Sequence, residues 1–161
     1  MVNKFAIIIA GIVAAMGIII ALPNINTDQA GDFKLEYSKQ ELSRTKSGVL
    51  GAVSVELLSI DKNGLASYSK DQSAEKQLQL SKEEAGRIKG LILETGFLEI
   101  PKTDYLQKDG VTEFTKYTVK ITAEGRQKTI NWVNESAHEG VIPPIISNLG
   151  LQLDSAIAKF G

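Results

Sequence analysis

Residues 5–22, FAIIIAGIVAAMGIIIAL, run through eighteen positions without a charged or strongly polar side chain. As a helix rising about 1.5 Å per residue, this stretch reaches about 27 Å, close to the hydrocarbon thickness of a bilayer. A secretory signal has a shorter apolar region followed by small residues at its cleavage site. Here Leu22, Pro23, Asn24 and Ile25 come next, and the nearest alternative, around Ala30, has Asp28 where a small residue is wanted. The segment therefore reads as an uncleaved single-pass anchor, with a cleaved signal as the competing reading. Lys4 and the amino terminus precede it and Asp28 and Asp32 are the first charges after it, an asymmetry that places the N-terminus in the cytoplasm and the rest of the chain outside the cell membrane.

The span has an internal pattern. Ala10, Ala14, Gly17 and Ala21 are spaced four, three and four apart, so they line one helical face, flanked by Gly11 and Ala15. Small residues let helix backbones approach closely, which lipid alone does not require. The stripe reads either as the ordinary Gly/Ala content of membrane helices or as a packing face for another subunit's membrane helix.

The chain divides into 1–22 as anchor, 23–31 (PNINTDQAG) as a short polar tether, and 32–161 as a single extracytoplasmic domain. A net charge of -1 leaves no electrostatic footprint for nucleic acid. The chain has no cysteine, so disulfides and thiolate metal sites are excluded and the domain must be held by its own core.

Alternation of Phe33, Leu35 and Tyr37 with charged residues predicts a first strand, with 38–48 a polar loop. A second strand is expected over 49–60, a turn at Asp61-Lys62-Asn63-Gly64, and a return strand over 65–69. Ser81-Lys82-Glu83-Glu84 is a capping box, and the helix it opens should stop at Gly96. Ala85, Ile88, Leu91, Ile92 and Thr95 form its apolar face. Gly86, Gly90 and Leu93 lie opposite, where either a partner packs closely or the helix simply tolerates two glycines. Tyr117, Val119 and Ile121 alternate up to the Glu124-Gly125 turn, and Ile130 and Trp132 mark the partner strand. Pro143 and Pro144 suit the first turn of a last helix whose apolar positions include Ile145, Ile146, Leu149, Leu153, Ala156 and Ile157, with Gly150 on the opposite face. The expectation is an α+β domain: an antiparallel sheet of about four to five strands with two packed helices.

Constellations that carry chemistry are sparse. His138 is the only histidine and reads as a solvated loop residue: Glu135 and Glu139 beside it make a poor metal set, and no histidine remains to complete a Ser-His-Asp triad. Asp104, Asp109 and Glu113 gather near one loop but match no calcium-loop spacing. Gly48-Val49-Leu50-Gly51 is neither a phosphate loop nor a dinucleotide fingerprint. No cofactor and no catalytic set is expected. Tyr105 and Phe114 are candidate aromatic anchors for a partner, whereas Trp132 falls on the inward set of its strand.

From about Thr45 onward the order of features resembles emfourin-like domains, small inhibitors of thermolysin-type metalloproteases. The resemblance rests on Ser47-Gly48-Val49-Leu50-Gly51, on the exit Thr95-Gly96-Phe97-Leu98, on the Tyr117-Thr118-Val119 strand, and on Pro144 with its terminal helix. It implies a fold and, as an alternative function, protease inhibition. The Ile/Ala/Gly span with its cysteine-free outer domain also resembles single-span proteins of ammonia-oxidising archaea, which accompany large membrane enzymes including the copper-dependent ammonia monooxygenase. Together these features lead to the expectation of a non-catalytic accessory subunit that works by contact with a larger membrane complex; a small metal- or ligand-binding module is the third reading.

Overall fold

Eleven-residue strands set the frame. In the computed structural model, which describes residues 32–46 and 48–161, β1 (Lys34–Arg44) is central, pairing antiparallel with β2 (Leu50–Ile60) on one side and with β6 (Glu113–Ala123) on the other. β3 (Leu65–Lys70) and β4 (Lys76–Gln79) extend the sheet beyond β2, while β7 (Arg126–Val133) and the two-residue β5 (Asp104–Tyr105) extend it beyond β6. The order is β4-β3-β2-β1-β6-β7-β5, antiparallel throughout except that β5 runs parallel to β7.

The expected sheet of four to five antiparallel strands is thus corrected to a mixed sheet of seven. Two of the additional strands are edges with no apolar alternation. β4 (KQLQ) is mostly exposed, and β5 is placed by a loop contact in which the Asn131 amide donates to the Thr103 carbonyl at 2.8 Å. Among the described residues no helix is long and apolar enough to cross a membrane. The anchor over 5–22, with its Ala10, Ala14, Gly17 and Ala21 stripe, and the tether over 23–31 lie outside the described residues.

A second correction concerns β1, which runs on through residues expected to be loop. Ser38, Gln40 and Ser43 carry no apolar signal, yet their backbones are paired on both sides. Two ladders satisfy every donor and acceptor of a central strand, and that outweighs weak side-chain preference.

Both helices serve one core. α1 (Lys82–Leu93) opens with the full capping box: the Glu84 amide donates to Ser81 Oγ at 3.2 Å and the Ser81 amide donates to the Glu84 carboxylate at 3.1 Å. It buries Ile88 and Ile92. α2 (Pro144–Ile157), started by proline, buries Ile146, Leu149, Leu153 and Ala156. These meet Leu35, Tyr37, Leu58, Ile60, Val119, Ile121, Ile130 and Trp132 from alternate positions of the strands. Gly150, expected on the exposed face, is buried instead. A side chain there would come within 3.2 Å of the Trp132 indole. Gly64, at φ +80°, closes the β2–β3 turn where a Cβ would press on Ala85 at 3.1 Å. Gly96, also at φ +80°, follows α1 and sends the chain into a short 3-10 turn that buries Phe97.

Candidate functional site, the polar face of the sheet

Period-two alternation that aims Leu35 and Tyr37 at the helices aims Glu36, Ser38 and Gln40 the other way. The registers then define two rows across this opposite face. One row carries Ser67, Ser59, Glu36, Lys120 and Thr129; the next carries Ser69, Leu57, Ser38, Thr118 and Asn131. One end of the face is closed by a small apolar cluster of Phe114, Val133 and Ala137, against which Leu42 and Val111 pack. The middle is hydroxyl- and amide-rich, with a shallow depression of about 190 Å³ bordered by Glu36, Ser38, Ser59, Ser67, Ser69 and Lys120. That volume is below the roughly 300–1,000 Å³ of drug-sized ligand pockets.

Side chains on this face are mostly tied to one another. Glu36 takes an ion pair from Lys34 at 2.6 Å on one oxygen. Its other oxygen lies 3.8 Å from Lys120, beyond hydrogen-bonding reach, and is buried without a hydrogen-bond partner. Gln40, only 4% exposed, donates to Ser38 Oγ at 3.2 Å. Toward β5 a relay runs from Thr118 Oγ1, donating to Asn131 Oδ1 at 2.8 Å, to Asn131 Nδ2, donating to Asp104 Oδ1 at 2.9 Å. Such a face can hold a polar partner by hydrogen bonds.

A second polar group sits at the helix side. The Tyr37 hydroxyl donates to Asp154 Oδ1 at 3.2 Å, and Lys39 Nζ lies 3.6 Å from the same oxygen. Burial, and then the Asp154 carboxylate, drive the Tyr37 pKa far above the ordinary phenol range. The hydroxyl therefore stays protonated and fastens α2 to the sheet. Tyr117, raised by the same two causes, stacks on Trp132 at 5.2 Å, and Trp132 in turn stacks on Tyr37 at 6.1 Å.

The residues singled out as partner contacts divide. Tyr105 and Phe114 are both buried within the domain. Tyr105 has Lys102 over its ring at 4.7 Å and His138 at its edge, while Phe114 anchors the small cluster on the polar face. Their rings fill the domain's own interior, and that corrects the reading of them as surface anchors. Gly86, Gly90 and Leu93 do lie on the outer side of α1, where a side chain at Gly86 would meet nothing within 4 Å. Asp104 is engaged by Asn131 and Thr103, and Glu113 accepts from Ser43, so the acidic loop is not gathered around one point. His138 Nδ1 lies 2.6 Å from the Leu106 carbonyl, which places the proton of that bond on the ring nitrogen. Among the described residues no three His, Asp or Glu side chains come together as a metal set.

The polar face itself escaped the sequence reading. Its signal was present, since Glu36, Ser38 and Gln40 continue the alternation of Leu35 and Tyr37, but polar residues at period two look like loop when the partner strands are unknown. Compared with protein-family models and with curated protein sequences, the chain matches none.

Proposed function

We propose that this chain is a membrane-anchored, non-catalytic interaction subunit, with its α+β domain on the outer face of the cell membrane and its partner a larger membrane-protein complex. The observation that carries the reading is the join between an uncharged apolar segment and a sheet domain whose second face is open. Eleven residues separate Leu22 from Lys34, a reach of about 40 Å at most. A domain held that close meets proteins of the same membrane at high effective concentration, so even a modest hydrogen-bonding surface suffices for association. The polar face supplies that surface, and the Ala10, Ala14, Gly17 and Ala21 stripe supplies a second contact within the bilayer.

The test is mild solubilisation from the native membrane with size analysis and identification of co-purifying proteins. The wild-type chain should run with other membrane proteins, and Ala14→Leu with Gly17→Leu should release it. Wild-type chain free of other proteins in the gentlest extract would refute the proposal.

A further inference from the structure

The β2–β3 turn, Asp61-Lys62-Asn63-Gly64, holds an Asn-Gly pair, and no other asparagine of the chain precedes a glycine. Asparagine is a thermolabile residue, and a following glycine makes it most so, because no Cβ shields the backbone nitrogen that attacks the side chain. In that reaction the Gly64 nitrogen loses its proton and bonds to Asn63 Cγ, ammonia leaves from Cγ, and water then opens the cyclic imide to aspartate or isoaspartate. Asn63 is exposed, so water and base reach it. The peptide unit that must move is nevertheless fastened at both of its polar groups. The Gly64 amide donates to the Asp61 carbonyl at 3.1 Å, and the Asn63 carbonyl accepts from Gln79 Nε2 at 2.8 Å. Asp61 Oδ1 also accepts from the Asn63 amide at 2.8 Å, and the buried Gly64 has its own carbonyl taken by the Leu80 amide at 3.0 Å.

We infer that Asn63 is a spontaneous deamidation site that the fold keeps closed and that opens when the β2–β3 turn parts from β4. A nitrogen held in a hydrogen bond keeps its proton, and a peptide plane tied at both polar groups does not swing onto Cγ. The rate then follows the population in which Gln79 and the turn have separated. The consequence reaches beyond the turn. An aspartate in place of Asn63 sets a second carboxylate two residues from Asp61, whose Oδ1 already gathers the Asn63 and Leu65 amides. Isoaspartate inserts an extra backbone carbon between β2 and β3. Either product misfits the turn, so a molecule that stays open is marked against closing again. A contrast stands at Asp109-Gly110, an exposed turn whose Gly110 amide makes no hydrogen bond among the described residues. This inference does not depend on the membrane reading.

Full-length protein carrying Asp109→Asn supplies the test, because Lys108 then begins the same Lys-Asn-Gly triplet as Lys62, in a turn that is not fastened. The protein is incubated folded in detergent at mildly alkaline pH, and its peptides are mapped by mass spectrometry. Deamidation should proceed at position 109 and run slower at Asn63 by about tenfold or more, the effect of two hydrogen bonds that must break first. In urea, with the domain unfolded by the criterion of Trp132 fluorescence, the two positions should react at similar rates. Adding Gln79→Ala should raise the folded-state rate at Asn63 several-fold and leave position 109 unchanged, a difference that general loss of stability would not give. Asn63 reacting as fast as position 109 in the folded protein would overturn the inference. So would a rate at Asn63 indifferent to Gln79→Ala.

Discussion

Alanine should stabilise the fold at one helix glycine and fail to do so at the other, and the contrast tests how α2 lies on the sheet. In a helix interior, Gly→Ala gains about 1 kcal/mol from backbone entropy and exposed peptide surface. At Gly86 nothing stands within 4 Å of the new methyl, so the full gain should appear. At Gly150 the methyl arrives 3.2 Å from Trp132 Cζ2. The indole cannot easily retreat, because Tyr117 and Tyr37 stack against it at 5.2 and 6.1 Å. Overpacking of this kind costs about 1–3 kcal/mol, which cancels or exceeds the propensity gain. Gly86→Ala should thus be more stable than Gly150→Ala by about 1–3 kcal/mol. In a domain of this size that is a difference in Tm of several degrees. Urea denaturation of the 32–161 domain, monitored by Trp132 fluorescence, reads both, provided the slope of the transition is unchanged. Equal stabilisation by the two substitutions would refute the reasoning, since it would mean that the indole does not press on the helix backbone.

Two further outcomes concern titration. Hydrogen bonds from Lys159 and from Ser81 lower the Glu84 pKa to about 2, so this carboxylate stabilises the fold above its ordinary value of 4.5 and loses that contribution as pH falls toward about 2. Glu84→Gln should flatten the acid limb of stability over that window, measured as the urea midpoint against pH. All four tyrosines have pKa values raised chiefly by burial, Tyr37 most. A raised phenol pKa supports the fold below pH 10 and withdraws that support as pH climbs through the shifted value. Ultraviolet titration should show no tyrosinate from Tyr37 before the domain unfolds, and Tyr37→Phe should leave the early part of the curve unchanged. It should also cost about 1–3 kcal/mol through the lost bond to Asp154.

How much of the fold was legible in the sequence depended on where apolar residues fell. The β6–β7 hairpin was readable because Val119, Ile121, Ile130 and Trp132 alternate around a Glu124-Gly125 turn. α1 announced itself through its capping box, and α2 through its three-four spacing. β4, the second half of β1 and β5 were not readable, since their pairing comes from neighbouring strands rather than from their own side chains. Gly150 shows the same limit. Its helical position points inward only once the large Trp132 ring, fixed by the sheet, needs the space. The polar face was hidden for a related reason, because the buried Ser38 and Gln40 join a row of polar residues only when β2 and β6 flank them.

The central claim is that residues 5–22 hold the domain outside the membrane, and single-cysteine accessibility in intact cells tests it most directly. In a chain without other thiols, Val141→Cys should react with a membrane-impermeant maleimide, and Lys4→Cys should react only after the cells are opened. Both proteins should stay with the membrane fraction after alkaline extraction. Labelling of Lys4→Cys with protection of Val141→Cys, or release of the chain into the soluble fraction, would contradict the account.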